Sequence, residues 1–348
     1  VIVVPEIGYD RPGVSPAAPV EIANKIMTAL KTAWPEGCDI VHVHNPTLAK
    51  NRQFLKVLKI LQRNGEKLFL QVHDFAEDGR PAAYFDEDYP ADCHYGVINS
   101  RDYGFLMQAG LTPPGLHMLP NTINSLATET GIIIPGSFVL YPVRAIRRKN
   151  IGEANLLSQY FDKKTRLAIT LPPNSPADIE SYNGWRHFTR GLGLNVQYEA
   201  SKGHNFLDLV HSARYLLTTS ITEGFGFSFL EPWTAGKTLW GRLLEDICQD
   251  FLDNGIDLSD LYRAVRIPLK WIGADAFYVK WSGCLQHIAA QYGFPLSKLR
   301  IEAFYTKVTG DGEIDFSLLD ESNQKRVIDR IASHAPDRRT LVDINPYL

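Results

Sequence analysis

Two glutamates bracketing a pair of glycines are the residues best placed to do chemistry. In the stretch Thr219-Ser220-Ile221-Thr222-Glu223-Gly224-Phe225-Gly226-Phe227-Ser228-Phe229-Leu230-Glu231-Pro232-Trp233, seven residues separate Glu223 from Glu231. The apolar run Tyr215-Leu216-Leu217 before it reads as a strand end, and the residues after it read as a helix start. A strand–loop–helix turn results, with glycines at the bend. Gly224 and Gly226 allow close approach of the backbone to a ligand. Free amides at the helix N-terminus favour a phosphate. Such a turn can offer amides to a diphosphate and carboxylates to sugar hydroxyls.

The elements that must position this turn alternate along the chain. Strands are expected over residues 1–4, 39–45, 67–74, 96–100 and 117–121, with helices over 21–31, 48–62 and 103–109. A loop is expected over 8–19 and a linker over 124–136. Alternation then restarts, with strands over 138–143, 166–171, 195–198, 215–219 and 238–240. Helices are expected over 151–160, 177–189, 206–212, 245–252, 281–291 and 321–333. Strands alternating with helices imply an α/β fold with parallel sheets and right-handed crossovers. Ligands sit at the carboxyl ends of such strands. His44, Asn45, His73, Asp74, Asn99, Ser100 and Asn121 all fall at such ends and are expected to face one cleft.

The turn at Glu223-Gly224-Phe225-Gly226, four residues, then Glu231, resembles the signature of retaining GT-B-fold glycosyltransferases of the family 4 type. A second match is Tyr141-Pro142-Val143-Arg144-Ala145-Ile146-Arg147-Arg148-Lys149-Asn150. That family carries an Arg at the end of the second domain's first strand and a Lys five residues later, the positions of Arg144 and Lys149. A nucleotide-sugar donor leaves as a diphosphate whose charge grows as the glycosidic bond breaks. Fixed cations stabilise that change more in the transition state than in the ground state. Arg offers a planar fork and Lys a point charge.

The resemblance implies two Rossmann-like domains facing across a cleft, an acceptor-side domain over 1–135 and a nucleotide-sugar domain over 136–320. A helix and tail over 321–348 would cross back to the first domain. It implies that Glu231 binds the ribose, that Glu223 contacts the donor sugar and that amides near Gly226 and Phe227 cradle phosphate. His73 matches a histidine beside the reaction centre. His44, Asn45, Asp74 and Asn121 are candidates to line the cleft on the acceptor side. The co-substrate would be a nucleotide-diphosphate sugar, with no separate cofactor. The likeness runs from about residue 39 to 237. The family's glycine-rich loop near the start is not found, and the chain opens Val-Ile-Val-Val-Pro without an initiator Met. A truncated chain or a subgroup lacking that element is expected. After Gly236-Lys237 the family continues with Pro and an apolar strand, where this chain has Thr238-Leu239-Trp240-Gly241-Arg242.

Composition narrows the alternatives. A chain of 348 residues exceeds one typical core and suits two domains. A net charge of −3 argues against bulk nucleic-acid binding. Four scattered cysteines make no CxxC pair, so neither a zinc site nor a disulfide framework is indicated and a cytoplasmic setting is expected. Asp86-Glu87-Asp88 is formally an Asp-x-Asp, the metal motif of the other main glycosyltransferase fold. It follows no apolar strand, and Arg144 and Lys149 already supply cations, so no metal is expected. Arg52, Lys56, Lys59 and Arg63 recur at helical spacing, with Phe54, Leu55, Leu58 and Leu61 on the remaining faces. Peripheral membrane contact through 50–63 is therefore open, beside the plainer reading of a solvated helix face. The rival function is a catalytically silent sugar-nucleotide-binding module. A glycosidase needs two carboxylates flanking the scissile bond, whereas the implied roles put both glutamates on the donor.

Overall fold

Apolar runs that stop on polar residues build two separate parallel sheets. The structure is a computed structural model that describes residues 1–11, 13–126 and 131–348. Residue 12, in the loop expected over 8–19, and residues 127–130, in the linker expected over 124–136, lie outside the described residues. Two compact units form, Val1–Asn121 with Leu285–Leu296, and Thr122–Cys284 with Ser297–Leu348.

In the first unit α1 (Pro19–Ala33) precedes β1 (Val41–His44), α2 (Phe54–Arg63), β2 (Leu68–Val72), β3 (His94–Val97), α3 (Ser100–Gln108) and β4 (Leu116–Met118). The four strands pair in sequence order, all parallel. Leu55, Leu58, Leu61, Leu70, Val72 and Val97 fill the core between helices and sheet. The apolar side of the basic helix is thus used by its own core, not offered to a lipid surface. That helix begins at Phe54 rather than at 48 because Asn51 ties the preceding segment elsewhere. Its Nδ2 donates to the carbonyls of Glu6 (2.8 Å) and Gly8 (3.0 Å), while its Oδ1 accepts from Gln53 N (3.0 Å). Residues 1–4 form no strand. Pro5, which has no N–H to give a ladder, opens a 3-10 turn at Pro5–Ile7, and Val1 to Val3 stay exposed.

The second unit runs β5 (Ser137–Arg144), α4 (Ile151–Ser158), β6 (Thr165–Leu171), α5 (Pro176–Gly191), β7 (Val196–Gln197), α6 (Phe206–Ser212), β8 (Leu216–Thr218), α7 (Phe227–Thr234), β9 (Leu239–Gly241) and α8 (Glu245–Asp253). Its sheet has the order β7-β6-β5-β8-β9, all parallel. The chain winds outward from β5 to β7, then returns to the other side of β5 to lay down β8. The β5/β8 boundary is the switch point where open α/β sheets bind ligands, outside the carboxyl ends of the strands.

Beyond α8 come β10 (Arg266–Pro268), α9 (Ala274–Gln291), α10 (Lys298–Val308), β11 (Glu313–Asp315), α11 (Glu321–Ser333) and α12 (Ala335–Ile344). β10 and β11 form a small antiparallel pair that the weak periodicity of this region does not announce. The tail expected to cross back stays with the second unit: Val327, Ile328, Ile331 and Leu341 are buried in one core with Tyr141 and Trp185. The described part of the linker is also tied there, through Ile132 N to Asp208 Oδ1 (3.0 Å) and Ile134 N to Ser212 Oγ (2.9 Å).

A buried charge network fastens this unit. Arg242 donates to Glu153 through Nε (2.9 Å) and Nη2 (2.6 Å) and to Asp315 through Nη1 and Nη2 (both 2.7 Å). Tyr262 adds its hydroxyl to Glu153 Oε1 at 2.8 Å. Glu153 is fully buried and Arg242 nearly so. Burial pushes the Glu153 carboxyl up, and Arg242 pulls against it. Removing one partner strands the others in a medium that does not solvate charge. Arg242→Met is expected to destabilise the protein by about 3–5 kcal/mol. The melting midpoint should fall by roughly ten degrees. A midpoint within a degree of wild type would show that the network does not hold the fold.

Candidate donor site

The switch point brings the two sequence matches together. Lys149 ends the 3-10 turn Arg147–Lys149 after β5, and Glu223 lies in the turn after β8. Lys149 Nζ donates to Glu223 Oε1, and Arg148 Nη1 reaches Glu223 Oε2 at 3.4 Å. Glu223 is buried, and only 13% of the Lys149 side chain is exposed. Burial pulls the Lys149 ammonium below the ordinary lysine range, while the Glu223 charge opposes that shift. The pair is therefore a poorly hydrated ammonium held by one carboxylate, with Arg148 more exposed beside it.

Local backbone explains the turn. Gly226 sits at φ +96° as the N-cap of α7, in the left-handed region that glycine tolerates. A Cβ there would approach Ile247 Cγ2 to 2.9 Å and Phe251 Cε2 to 3.2 Å, so α8 packs against bare backbone. Phe229 N already donates to Gly226 O at 2.9 Å, whereas the amides of Phe227 and Ser228 precede the intrahelical ladder and carry the positive end of the helix dipole. Glu231 follows Phe227 by four residues and so shares its face of α7. Its carboxyl is half-buried, and that burial raises its pKa. Lys149, Glu223, Gly226, Phe227 and Glu231 thus lie on the two turns flanking the switch point.

Arg144 ends β5 but turns the other way, donating from Nη1 to the carbonyl of Pro172 at 2.9 Å. Arg148, to which the sequence reading gave no role, is the arginine beside Glu223. Its only sequence signal is its place in the Arg147-Arg148-Lys149 run.

In the first unit the ends of β1 and β2 bring four of the sequence candidates together. His44 Nδ1 and His73 Nε2 are 2.8 Å apart, with rings stacked at 5.1 Å between centroids. Asn45, at φ +52°, accepts the backbone N–H of His73 (2.8 Å) and of Asp74 (3.2 Å) on Oδ1. Asp74 in turn accepts from Arg80 Nη2 at 2.8 Å. Asn121 follows β4, two strands over from β2. Asn99 is an N-cap, accepting Asp102 N at 2.8 Å, which accounts for its buried position. Glu87 of the Asp-x-Asp pairs with Lys56 at 3.5 Å. Among the described residues no three His, Cys, Asp or Glu side chains gather where they could hold a metal ion. Nor, among those residues, is any helix long and apolar enough to cross a membrane.

No family model matches the chain. Its fold is α/β with parallel sheets, the class of the GT-B glycosyltransferases. A glycosyltransferase from Rickettsia africae has a similar fold, with a TM-score of 0.52 over 93% of this chain and 83% of that one at 12% identity. HepE of Anabaena in complex with UDP-glucose is similar over 94% of this chain and 82% of that one, at 11% identity and a TM-score of 0.47. In sequence the chain is similar to the mannosylglucosyl-3-phosphoglycerate synthase of Petrotoga mobilis. The two are 27% identical over 250 residues, covering 61% of this chain and 48% of that protein. The chain spans about half the length of that curated relative.

The stacked histidines carry a pH signature. Burial lowers the pKa of both, with the neighbouring His44 adding to the shift at His73 and the Asp74 charge opposing it. Folded values below the unfolded one mean that the unfolded chain binds protons more readily. Their contribution to stability is present above about pH 6.5 and is lost as pH falls through the folded values. The expected result is two imidazoles that titrate by NMR below the range of free histidine, with stability declining in step. Titration of both at or above that range would overturn the coupling.

Proposed function

We propose that this protein is a glycosyltransferase that moves a sugar from a nucleotide-diphosphate sugar to a hydroxyl acceptor. The observation that carries the reading is the Lys149–Glu223 pair beside the N-terminus of α7 at a sheet switch point. An ammonium with little water around it and free helix amides are two devices for one task, holding a diphosphate whose charge grows during bond cleavage. Arrival of the diphosphate gives Lys149 a second anionic partner and leaves Glu223 oxygens free for sugar hydroxyls. Arg148 is close enough to follow. Glu231, half-buried on α7, is assigned to the ribose. The similarity to a mannosylglucosyl-3-phosphoglycerate synthase supports a hexosyl donor and a small acceptor bearing hydroxyls.

The first unit is assigned to the acceptor side and the reaction centre, with His73 fixed by His44 and by Asn45. Transfer is assigned to proceed with retention and without a divalent ion, since lysine, arginine and amides supply the positive charge. Nothing in these roles makes Glu223 a nucleophile: its carboxylate is assigned to hydroxyls of the donor sugar.

A thermal-shift screen against UDP, GDP and ADP with a chelator present tests the donor site. A nucleotide at about 100 times its Kd should stabilise the protein by about 2.7 kcal/mol. Lys149→Ala should then weaken that nucleotide about tenfold or more. A flat screen with wild-type protein would sink the reading. Glu223→Gln should lower turnover with the matching nucleotide sugar more than it lowers nucleotide affinity. If turnover is untouched, Glu223 is only a counter-ion for Lys149. Tight nucleotide binding with no transfer or hydrolysis under any acceptor would favour the silent binding module.

A further inference from the structure

The turn that carries Lys149 is short, and the carbonyls of Arg148, Lys149 and Asn150 are held by residues that follow β8 or by Tyr141 of β5. Arg148 O accepts Ile221 N at 2.9 Å. Lys149 O accepts the Tyr141 hydroxyl at 2.5 Å and Thr219 Oγ1 at 3.1 Å. Asn150 O lies 3.1 Å from the same Thr219 Oγ1. The Tyr141 oxygen also accepts Thr219 N at 3.2 Å and lies 3.4 Å from Ser220 Oγ. Tyr141 and Thr219 are both wholly buried.

A phenylalanine would fill the same core as the Tyr141 ring, among Val139, Ile151, Leu217 and Trp185. The hydroxyl is therefore not explained by packing. A buried phenol needs partners, and this one has its donor on the carbonyl of Lys149 and its acceptor on the residue that also grips that carbonyl. Both ends of the device act on one turn. Burial pushes the phenol pKa up, so it keeps its proton and remains a donor throughout the pH range of the fold.

We propose that Tyr141 and Thr219 are positioning residues for the donor diphosphate, fixing the backbone of Lys149 so that its ammonium is preplaced at the switch point. The proposal rests on the reading of the second unit as a nucleoside-diphosphate site. Neither residue touches the ligand. They act through Lys149, by removing the freedom that a three-residue turn would otherwise lose on binding.

The test is calorimetric titration of UDP, GDP and ADP, each beside its nucleoside, into the full chain and its variants. Tyr141→Phe should weaken the nucleoside diphosphate that binds wild type about tenfold. Affinity for the matching nucleoside, which offers no phosphate to Lys149, should not change. In a Lys149→Ala background Tyr141→Phe should have no further effect, since the path through Lys149 is gone. Thr219→Val should reproduce the loss and Thr219→Ser should restore it, which keeps the test open if the Tyr141 variant fails to fold. Wild-type diphosphate affinity in both Tyr141→Phe and Thr219→Val would overturn the proposal. So would an equal loss in the Lys149→Ala background, which would mean general loosening of the core. If wild type binds none of the three diphosphates, the donor-site reading itself falls and the positioning role falls with it.

Discussion

The adjacency of β5 and β8 is the constraint on which the second unit depends. More than seventy residues separate the two strands in sequence, yet Leu140 pairs with Leu216, and Leu140 N donates to Tyr215 O at 3.2 Å. Every group assigned to the donor sits on one of the two turns that leave this strand pair or on α7, which follows the second turn. The adjacency arises because the chain reverses its winding direction after β7, a feature of topology and not of any local motif. Once the strands are side by side, their carboxyl ends present Lys149 and Glu223 to each other without further design. A shift of one residue in register would turn Tyr141 from the core face to the opposite one and dismantle the contact.

The same unit tolerates the buried charges of Glu153 and Arg242 by matching them with hydrogen-bonded partners. Glu153 stands about one helical turn beyond Asn150, whose Nδ2 donates to its Oε2 at 2.9 Å, and Gln324 donates to Asn150 Oδ1 at 2.9 Å. Asn150 itself adopts a left-handed conformation, at φ +49°, where asparagine is tolerated better than most residues. The turn Arg147–Lys149 is therefore braced through Asn150 by α4 and α11, while the residues after β8 brace it through its carbonyls. Arg242, at the end of β9, closes the network onto β11 through Asp315. A buried ion pair is weak evidence for stability by itself. Here it fixes the starting orientation of α4, and so the position of the residues immediately before it.

The alternation of strands and helices was legible because buried parallel strands leave long apolar runs, and β5, β6 and α6 fall where those runs place them. The pairing of Lys149 with Glu223 was legible only as two separate motifs, since sequence spacing does not say which strands are neighbours. Arg144 shows the limit. Its residue type and its place at a strand end fit a phosphate ligand, yet the bond from its Nη1 to the Pro172 carbonyl after β6 is one that sequence spacing does not announce. Arg242 was invisible as a structural residue because a lone arginine after a short strand carries no sign of burial. Residues 1–4 read as a strand on β-branched content alone, but a strand needs a partner as well as a propensity.

In the first unit, spacing put His44 and His73 at strand ends but could not tell that their rings would stack. That follows from parallel register: His44 pairs with Gln71, two residues before His73, and the strand-end turn that Asn45 caps brings the second ring back over the first. Two imidazoles at 2.8 Å share at most one hydrogen between the facing nitrogens, so each fixes the tautomer of the other. A hydrogen-bonded histidine pair would suit the proposed role of contacting sugar hydroxyls. In the second unit the cations Lys149 and Arg148 meet instead at Glu223, in the turn that leads to α7. On the proposed reading, the second unit would hold the donor by charge and the first would meet the acceptor by hydrogen bonding. That reading would account for the stronger sequence signals in the second unit, since charge stabilisation of a diphosphate admits few residue types, whereas hydrogen bonding to hydroxyls admits many.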